Sequence, residues 1–197
     1  MPIKWKKTLI ALERFESAGV FDVNGDGCPN IVSGAYWYEK PDIKTQHPVG
    51  EVMAAGEYYD DFSTIPMDVN GNGRLDFITG GWWGDTIRWR ENPGNADSEW
   101  PEHVIAHTGN VETTRAWDVD GDGALEIVPN TPGGPLVVYK LVTDDRGKGT
   151  GTFEAHTIYA ENQGHGLGFG DVNGNGPGDI IINNDWLQTP EDTPNGD

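Results

Sequence analysis

The sequence is poor in the features that mark most function classes. A single cysteine, Cys28, stands among 197 residues, so no internal disulfide framework can form and no Cys/His zinc spacing occurs. No apolar run approaches the roughly 18–20 residues of a transmembrane helix, and no useful length shows helical periodicity. Positive charge is scarce. Thirteen Lys and Arg against 32 Asp and Glu leave a net charge of −19, which disfavours nucleic acid and anionic membrane as partners. There is no Ser/His/Asp order and no phosphate-binding glycine loop. Lys4, Lys6 and Lys7 before Thr-Leu-Ile-Ala-Leu imitate the start of a signal peptide, but Glu13 ends the apolar run after five residues.

What is present is glycine (28), proline (13) and a repeated acidic phrase. Residues 118–128 read Asp-Val-Asp-Gly-Asp-Gly-Ala-Leu-Glu-Ile-Val, and variants recur at 22–32, 68–78 and 171–181. The first aspartates lie 46, 50 and 53 residues apart, a period that suits one four-stranded unit each. Oxygen ligands at positions 1, 3 and 5 suit a hard cation such as Ca2+, with glycine at position 6 for the turn around it. The candidate ligands are Asp22, Asn24, Asp26 and Asn30; Asp68, Asn70, Asn72 and Asp76; Asp118, Asp120, Asp122 and Glu126; Asp171, Asn173, Asn175 and Asp179. The fourth of each set stands at position 9. The third copy, with four carboxylates, is expected to bind best. Position 12 is Ser33, Thr79, Pro129 or Ile182, which rules out an EF-hand, and the apolar exit reads as a strand. Without metal, the same Asp and Asn residues would make side-chain turns.

Around each loop the chain reads strand, loop, strand, turn, strand, turn, strand. Third strands are expected at 86–90 and 136–142, and turns at 92–95 and 144–147. Residues 4–10, 99–105 and 152–158 share an aromatic-x-x-x-x-Ile pattern and are expected as outermost strands. The chain then stops after the second strand of its fourth repeat, with a polar tail at 188–197.

The loops with their exits, and Phe169-Gly170-Asp171 entering the last, resemble the FG-GAP/VCBS repeat family over nearly the whole chain. That resemblance implies an all-β fold, a β-propeller or part of one with blades over 1–187, truncated at its C-terminus, and Ca2+ as cofactor. Further blades or domains are implied, as is an extracellular, periplasmic or cell-surface location where calcium is millimolar. The implied function is a binding module whose partner is a glycan or a cell-surface protein. The alternative is a polysaccharide lyase on the same scaffold.

Trp37, Trp83 and Trp186 each fall 15 residues after a loop's first Asp and are expected to pack between blades, whereas Tyr36, Trp82 and Trp117 lie outside that slot and suit an exposed sugar platform. His103 and His156 share one repeat position and read as structural. For a lyase, His165 and Arg115, placed on strands entering the loops, and His107 are the weak candidates, with Tyr58 or Tyr59 as the acid.

Overall fold

The computed structural model describes residues 3–189, and within them every regular element is a β-strand. The first sheet is a meander of β1 (Gly19–Phe21), β2 (Asn30–Ser33), β3 (Tyr36–Glu39) and β4 (Thr45–Pro48). A small hairpin, β5 (Ala54–Ala55) and β6 (Tyr58–Tyr59), precedes the second sheet of β7 (Ile65–Met67), β8 (Asp76–Gly80), β9 (Thr86–Arg90) and β10 (Glu102–His107). The third comprises β11 (Thr113–Trp117), β12 (Glu126–Asn130), β13 (Leu136–Thr143) and β14 (Gly149–Tyr159). The fourth has three described strands, β15 (Gly168–Gly170), β16 (Asp179–Ile181) and β17 (Trp186–Leu187). Every pairing is antiparallel, as hairpin connections require.

Three of the four repeats thus contain the expected four strands. The strands expected at 86–90 and 136–142 are β9 and most of β13, and the turns at 92–95 and 144–147 fall outside strands. Residues 4–10 are not a strand. A strand needs an edge to pair with, and in the first sheet the outermost place is taken by β4, whose Thr-Gln-His-Pro sequence gave no such signal. Trp5 and Leu9 accordingly stay exposed. The fourth repeat continues into a third strand, β17, beyond the expected second. Most of the polar tail lies outside the described residues.

The core lies in layers between successive sheets. Phe21, Val32 and Trp37 of the first meet Phe77 and Trp100 of the second; Ile78, Ile87 and Trp89 meet Ile127 and Tyr139 of the third; Val128, Leu136 and Val138 meet Ile180 and Ile182 of the fourth. Alternate strand residues face opposite sides, so a strand covered on both faces exposes neither set; β8 and β12 are buried at every residue, including the polar Asp76, Thr79, Glu126 and Asn130.

Each of the first two loops is also held by the repeat that follows it. Asn92, between β9 and β10, donates from Nδ2 to the carbonyl of Val23 (2.8 Å), and Gly151 at the start of β14 donates to the carbonyl of Val69 (2.8 Å). Val23 and Val69 occupy the same position in their loops.

Candidate functional site

All four acidic loops connect the first strand of a sheet to its second and adopt one conformation. The glycines at positions 4 and 6 all have positive φ, from 69° at Gly71 to 105° at Gly176. That region disfavours any residue with a Cβ and explains the Gly-x-Gly spacing. The position 1 aspartate accepts from the position 6 N–H in every copy: Asp22 from Gly27 (2.9 Å), Asp68 from Gly73 (2.9 Å), Asp118 from Gly123 (3.1 Å) and Asp171 from Gly176 (2.9 Å). Position 3 accepts from the N–H of position 5 in all four, and position 5 from that of position 7 in the first three. In the fourth copy position 7 is Pro177, which has no N–H.

Position 9 has a role the pattern did not disclose. Asn30, Asp76, Glu126 and Asp179 each accept the N–H of position 2, at 2.9, 3.0, 2.8 and 3.0 Å, and so latch the loop onto its exit strand. Asp76 and Asp179 also accept a second backbone N–H, from Asn92 (2.8 Å) and Thr189 (3.0 Å). Burial, opposed by those hydrogen bonds, pushes the Asp76 carboxyl up to about 6.

The third loop is the best test of fit to a divalent cation. One oxygen each of Asp118, Asp120 and Glu126 lie within 4.8 Å of one another. Asp118 Oδ1 and Glu126 Oε1 are buried with no hydrogen-bond partner among the described residues. Such a cluster of hard oxygens, two of them orphaned, fits calcium chemistry. Lys140, projecting from β13, reaches the same carboxylates: its Nζ pairs with Asp120, lies 2.7 Å from Asp122 Oδ2 and 3.7 Å from Glu126 Oε1. Burial raises the Glu126 carboxyl, whereas the hydrogen bond from Lys140 lowers Asp122.

A second feature is an open cleft of about 290 Å3 lined by Tyr58, Phe62, Trp82, Trp83, Glu112 and His165. Tyr58 stacks on Trp83 with ring centroids 5.8 Å apart, Phe62 meets Trp83 edge-on at 5.8 Å, and His165 lies parallel to Trp82 at 6.1 Å. Trp82 and Trp83 sit on the turn between β8 and β9, which Asp60 holds by accepting the N–H groups of Trp83 (2.7 Å) and Gly84 (3.2 Å). Asp60 is in turn paired with the buried Arg88 (3.3 Å), whose Nε reaches Glu102 (3.3 Å). The amide of Asn110 fixes the rim, accepting from Trp82 Nε1 (2.8 Å) and donating to Asp85 Oδ1 (3.0 Å). The platform is therefore held from beneath by a buried charge network.

Two loops in one conformation, each leaving a meander's first strand and entering its second, bound the stretch that matches a known family. Residues 68–128 match the family model of the FG-GAP-like repeat. No curated protein matches the chain. Among solved structures, a lectin from Agrocybe aegerita, described as recognising non-reducing terminal N-acetylglucosamine, has a similar fold, with a TM-score of 0.50 at 19% identity. The likeness covers 85% of this chain and 47% of the lectin's, so the chain spans about half the lectin's length. The FG-GAP-like stretch contains the second and third loops, the Trp82–Trp83 turn and Glu112; Tyr58, Phe62 and His165 come from outside it.

The weak catalytic candidates are only partly brought together. His165 and Tyr58 line the aromatic cleft, His107 lines a different one with Thr131 and Pro135, and Arg115 donates to the carbonyl of Thr114 (3.2 Å). Tyr59 packs edge-on against Phe15 at 4.8 Å. His165 lies before β15 rather than on it, because Gly164 and Gly166, both at positive φ, keep that stretch out of extended pairing; it pairs with Glu112.

The tryptophan spacing needs correction at one position. Register places Trp37 and Trp89 at the same site, opposite His47 and His103, and each pair stacks, at 4.1 and 4.3 Å. The β8–β9 turn is longer than the β2–β3 turn, so a fixed count of residues lands Trp83 in the turn, 38% exposed, instead of between sheets. Trp186 keeps the register opposite Ile181 but is 40% exposed. Of the other expected platform residues Trp82 lines the cleft, Trp117 stacks against Phe169 at 5.3 Å, and Tyr36 is half-buried near Phe15.

Proposed function

We propose that the chain is a calcium-stabilised arc of a β-propeller that binds carbohydrate in the aromatic cleft, in a secreted or cell-surface setting. The observation that carries this reading is the cleft itself. Sugar rings present apolar C–H faces that stack on aromatic rings and hydroxyl edges that need polar partners. Trp82, Trp83 and Tyr58 supply the faces, and the Glu112–His165 pair supplies polar atoms at the rim. The wall carries Glu112 but no arginine or lysine, so it suits a neutral or N-acylated sugar better than a uronic acid. That weighs against β-elimination, whose substrate carboxylate calls for a cation. The lectin neighbour adds N-acetylglucosamine as the first sugar to try. The loops would use calcium structurally, neutralising clustered carboxylates and coupling metal binding to folding.

The test is titration of the full chain, in CaCl2, with N-acetylglucosamine-terminated and other neutral oligosaccharides, followed by tryptophan fluorescence. Saturable binding lost in Trp83→Ala, with the melting temperature kept, is expected. Equal binding by that variant, or no binding across a glycan panel, would overturn the reading. An ultraviolet-absorbing unsaturated product from a uronic-acid glycan would establish the lyase instead.

A further inference from the structure

Strand register makes Tyr38, Arg90 and Tyr139 equivalent, since they pair with Ile31, Phe77 and Ile127, which stand at the same position after their loops. The next residue along is therefore also equivalent: Glu39 in the first repeat, Glu91 in the second and Lys140 in the third. All three side chains turn onto their own acidic loop. Glu39 Oε1 lies 3.4 Å from Asn24 Nδ2, Glu91 Oε1 lies 2.9 Å from Asn70 Nδ2, and Lys140 Nζ lies on Asp120 and Asp122. In the first two repeats the other carboxylate oxygen is held by a histidine, His47 at 3.0 Å and His103 at 2.9 Å. Each of those histidines is stacked on a tryptophan. In the third repeat Val138 replaces that tryptophan, and His156 faces Glu154 at 4.0 Å.

The charges compensate. Loop one with its strand residue carries Asp22, Asp26 and Glu39; loop two carries Asp68, Asp76 and Glu91; loop three carries four carboxylates and one ammonium. Counted over these side chains each set carries three net negative charges, reached in the third case by an internal cation; loop two also holds Arg74, whose Nε donates to the Asn92 carbonyl (3.0 Å) and not to a loop carboxylate. We propose that Lys140 is the built-in counter-ion of the third loop, and that Glu39 and Glu91 complete the first two loops as divalent-cation sites. Loops one and two then take calcium first, and the third takes it only by displacing Lys140. This reverses the order expected from counting acidic residues in the loops alone. It rests on the reading that the loops bind calcium.

The physical reason is competition for one set of oxygens. An ammonium hydrogen-bonded to Asp120 and Asp122 already offsets one of their two charges, so an incoming cation must first break those bonds and release the side chain to water. In loops one and two no ammonium or guanidinium among the described residues pairs with the loop carboxylates, Lys148 reaching only the Gly71 carbonyl (3.4 Å), and a carboxylate pre-oriented by a stacked histidine adds a hard ligand at the rim.

The experiment is calorimetric titration of the intact chain with CaCl2 alone, paired with thermal melts in EDTA. Wild type is expected to show tight sites that Glu39→Gln and Glu91→Gln each weaken at least tenfold. Lys140→Gln is expected to tighten calcium binding by one further site at least tenfold while lowering the melt in EDTA by several degrees, since four carboxylates then lack their counter-ion. If wild type binds calcium but Lys140→Gln changes neither the isotherm nor the EDTA melt, or if Glu39→Gln and Glu91→Gln leave the tight sites untouched, this assignment is overturned and the calcium reading survives. If wild type binds no calcium at all, the calcium reading fails and this ordering with it. Lys140→Arg keeps the charge and should preserve wild-type behaviour, separating charge from packing.

Discussion

Asp60 is the residue on which the cleft stands, and its removal has a calculable cost. Its carboxylate accepts two backbone N–H groups of the Trp83–Gly84 turn and pairs with Arg88, and Arg88 also donates to the Asp60 carbonyl. Asp60 is 1% exposed and Arg88 7%, so water cannot replace the lost partner without the turn moving. Removing one member of a buried ion pair costs on the order of 3–5 kcal/mol, because the remaining charge stays buried. Here Glu102 still reaches Arg88 and offsets part of that. Asp60→Ala is therefore expected to lose about 3–4 kcal/mol in urea unfolding. Asp60→Asn, which keeps an oxygen for the Trp83 N–H but no charge, should lose about 2 kcal/mol. With Arg88→Ala in a double-mutant cycle, the coupling energy should exceed about 1.5 kcal/mol. Glycan binding should weaken alongside, since Trp82 and Trp83 ride on the turn. A loss under about 1 kcal/mol for Asp60→Ala, or no measurable coupling, would refute the argument that this network supports the platform.

Two further outcomes follow from the loops and the buried acids. Gly123→Ala, at φ 90° with open space around the added methyl, should cost about 1–2 kcal/mol through backbone strain alone, while Gly170→Ala, equally open but outside that region, should cost little more than a few tenths; equal effects would discount the turn geometry. Burial, reinforced by the neighbouring Glu16 carboxylate and only partly offset by hydrogen bonding, pushes Asp61 up to about 6 from 3.8. The folded state then holds this proton more tightly than the unfolded chain. Its contribution to stability is complete below about pH 4 and is lost as pH rises through 6. Urea midpoints in EDTA should fall across that window, by an amount corresponding to about 1–2 kcal/mol from Asp61 after allowing for partial hydration, and Asp61→Asn should flatten the profile by that share; an unchanged slope would count against it.

Much of this architecture is written in the repeat. The loops, their positive-φ glycines and the strands they enter are local features, fixed by steric demands that any single copy displays, and four copies in register confirm one another. Strand β9 falls where β-branched and aromatic residues cluster. Strand β4, by contrast, is Thr-Gln-His-Pro, an edge whose pairing is set by its neighbour β3 and not by its own propensity. The cleft was half legible: Trp82, Tyr58 and His165 stood out as unusual, but their meeting depends on a longer β8–β9 turn that residue counting treats as strand. Glu39, Glu91 and Lys140 carry no signal in sequence at all. They lie 15 to 21 residues from their loops' position 3 or 5 partners in a chain with 32 acidic residues, and only strand register shows that they share one place.

The clamping of one loop by the next repeat gives the molecule a direction. Asn92 cannot reach the Val23 carbonyl until the second repeat has folded against the first, and Gly151 cannot reach Val69 until the third has folded against the second. Ordering therefore travels backwards along this part of the chain, the second and third repeats each finishing the loop of the one before. A defect in the third repeat would then be felt first as a loosened acidic loop in the second, one repeat upstream of the lesion, while the first kept its own clamp. A disturbance read at a loop would point to damage in the repeat that follows it.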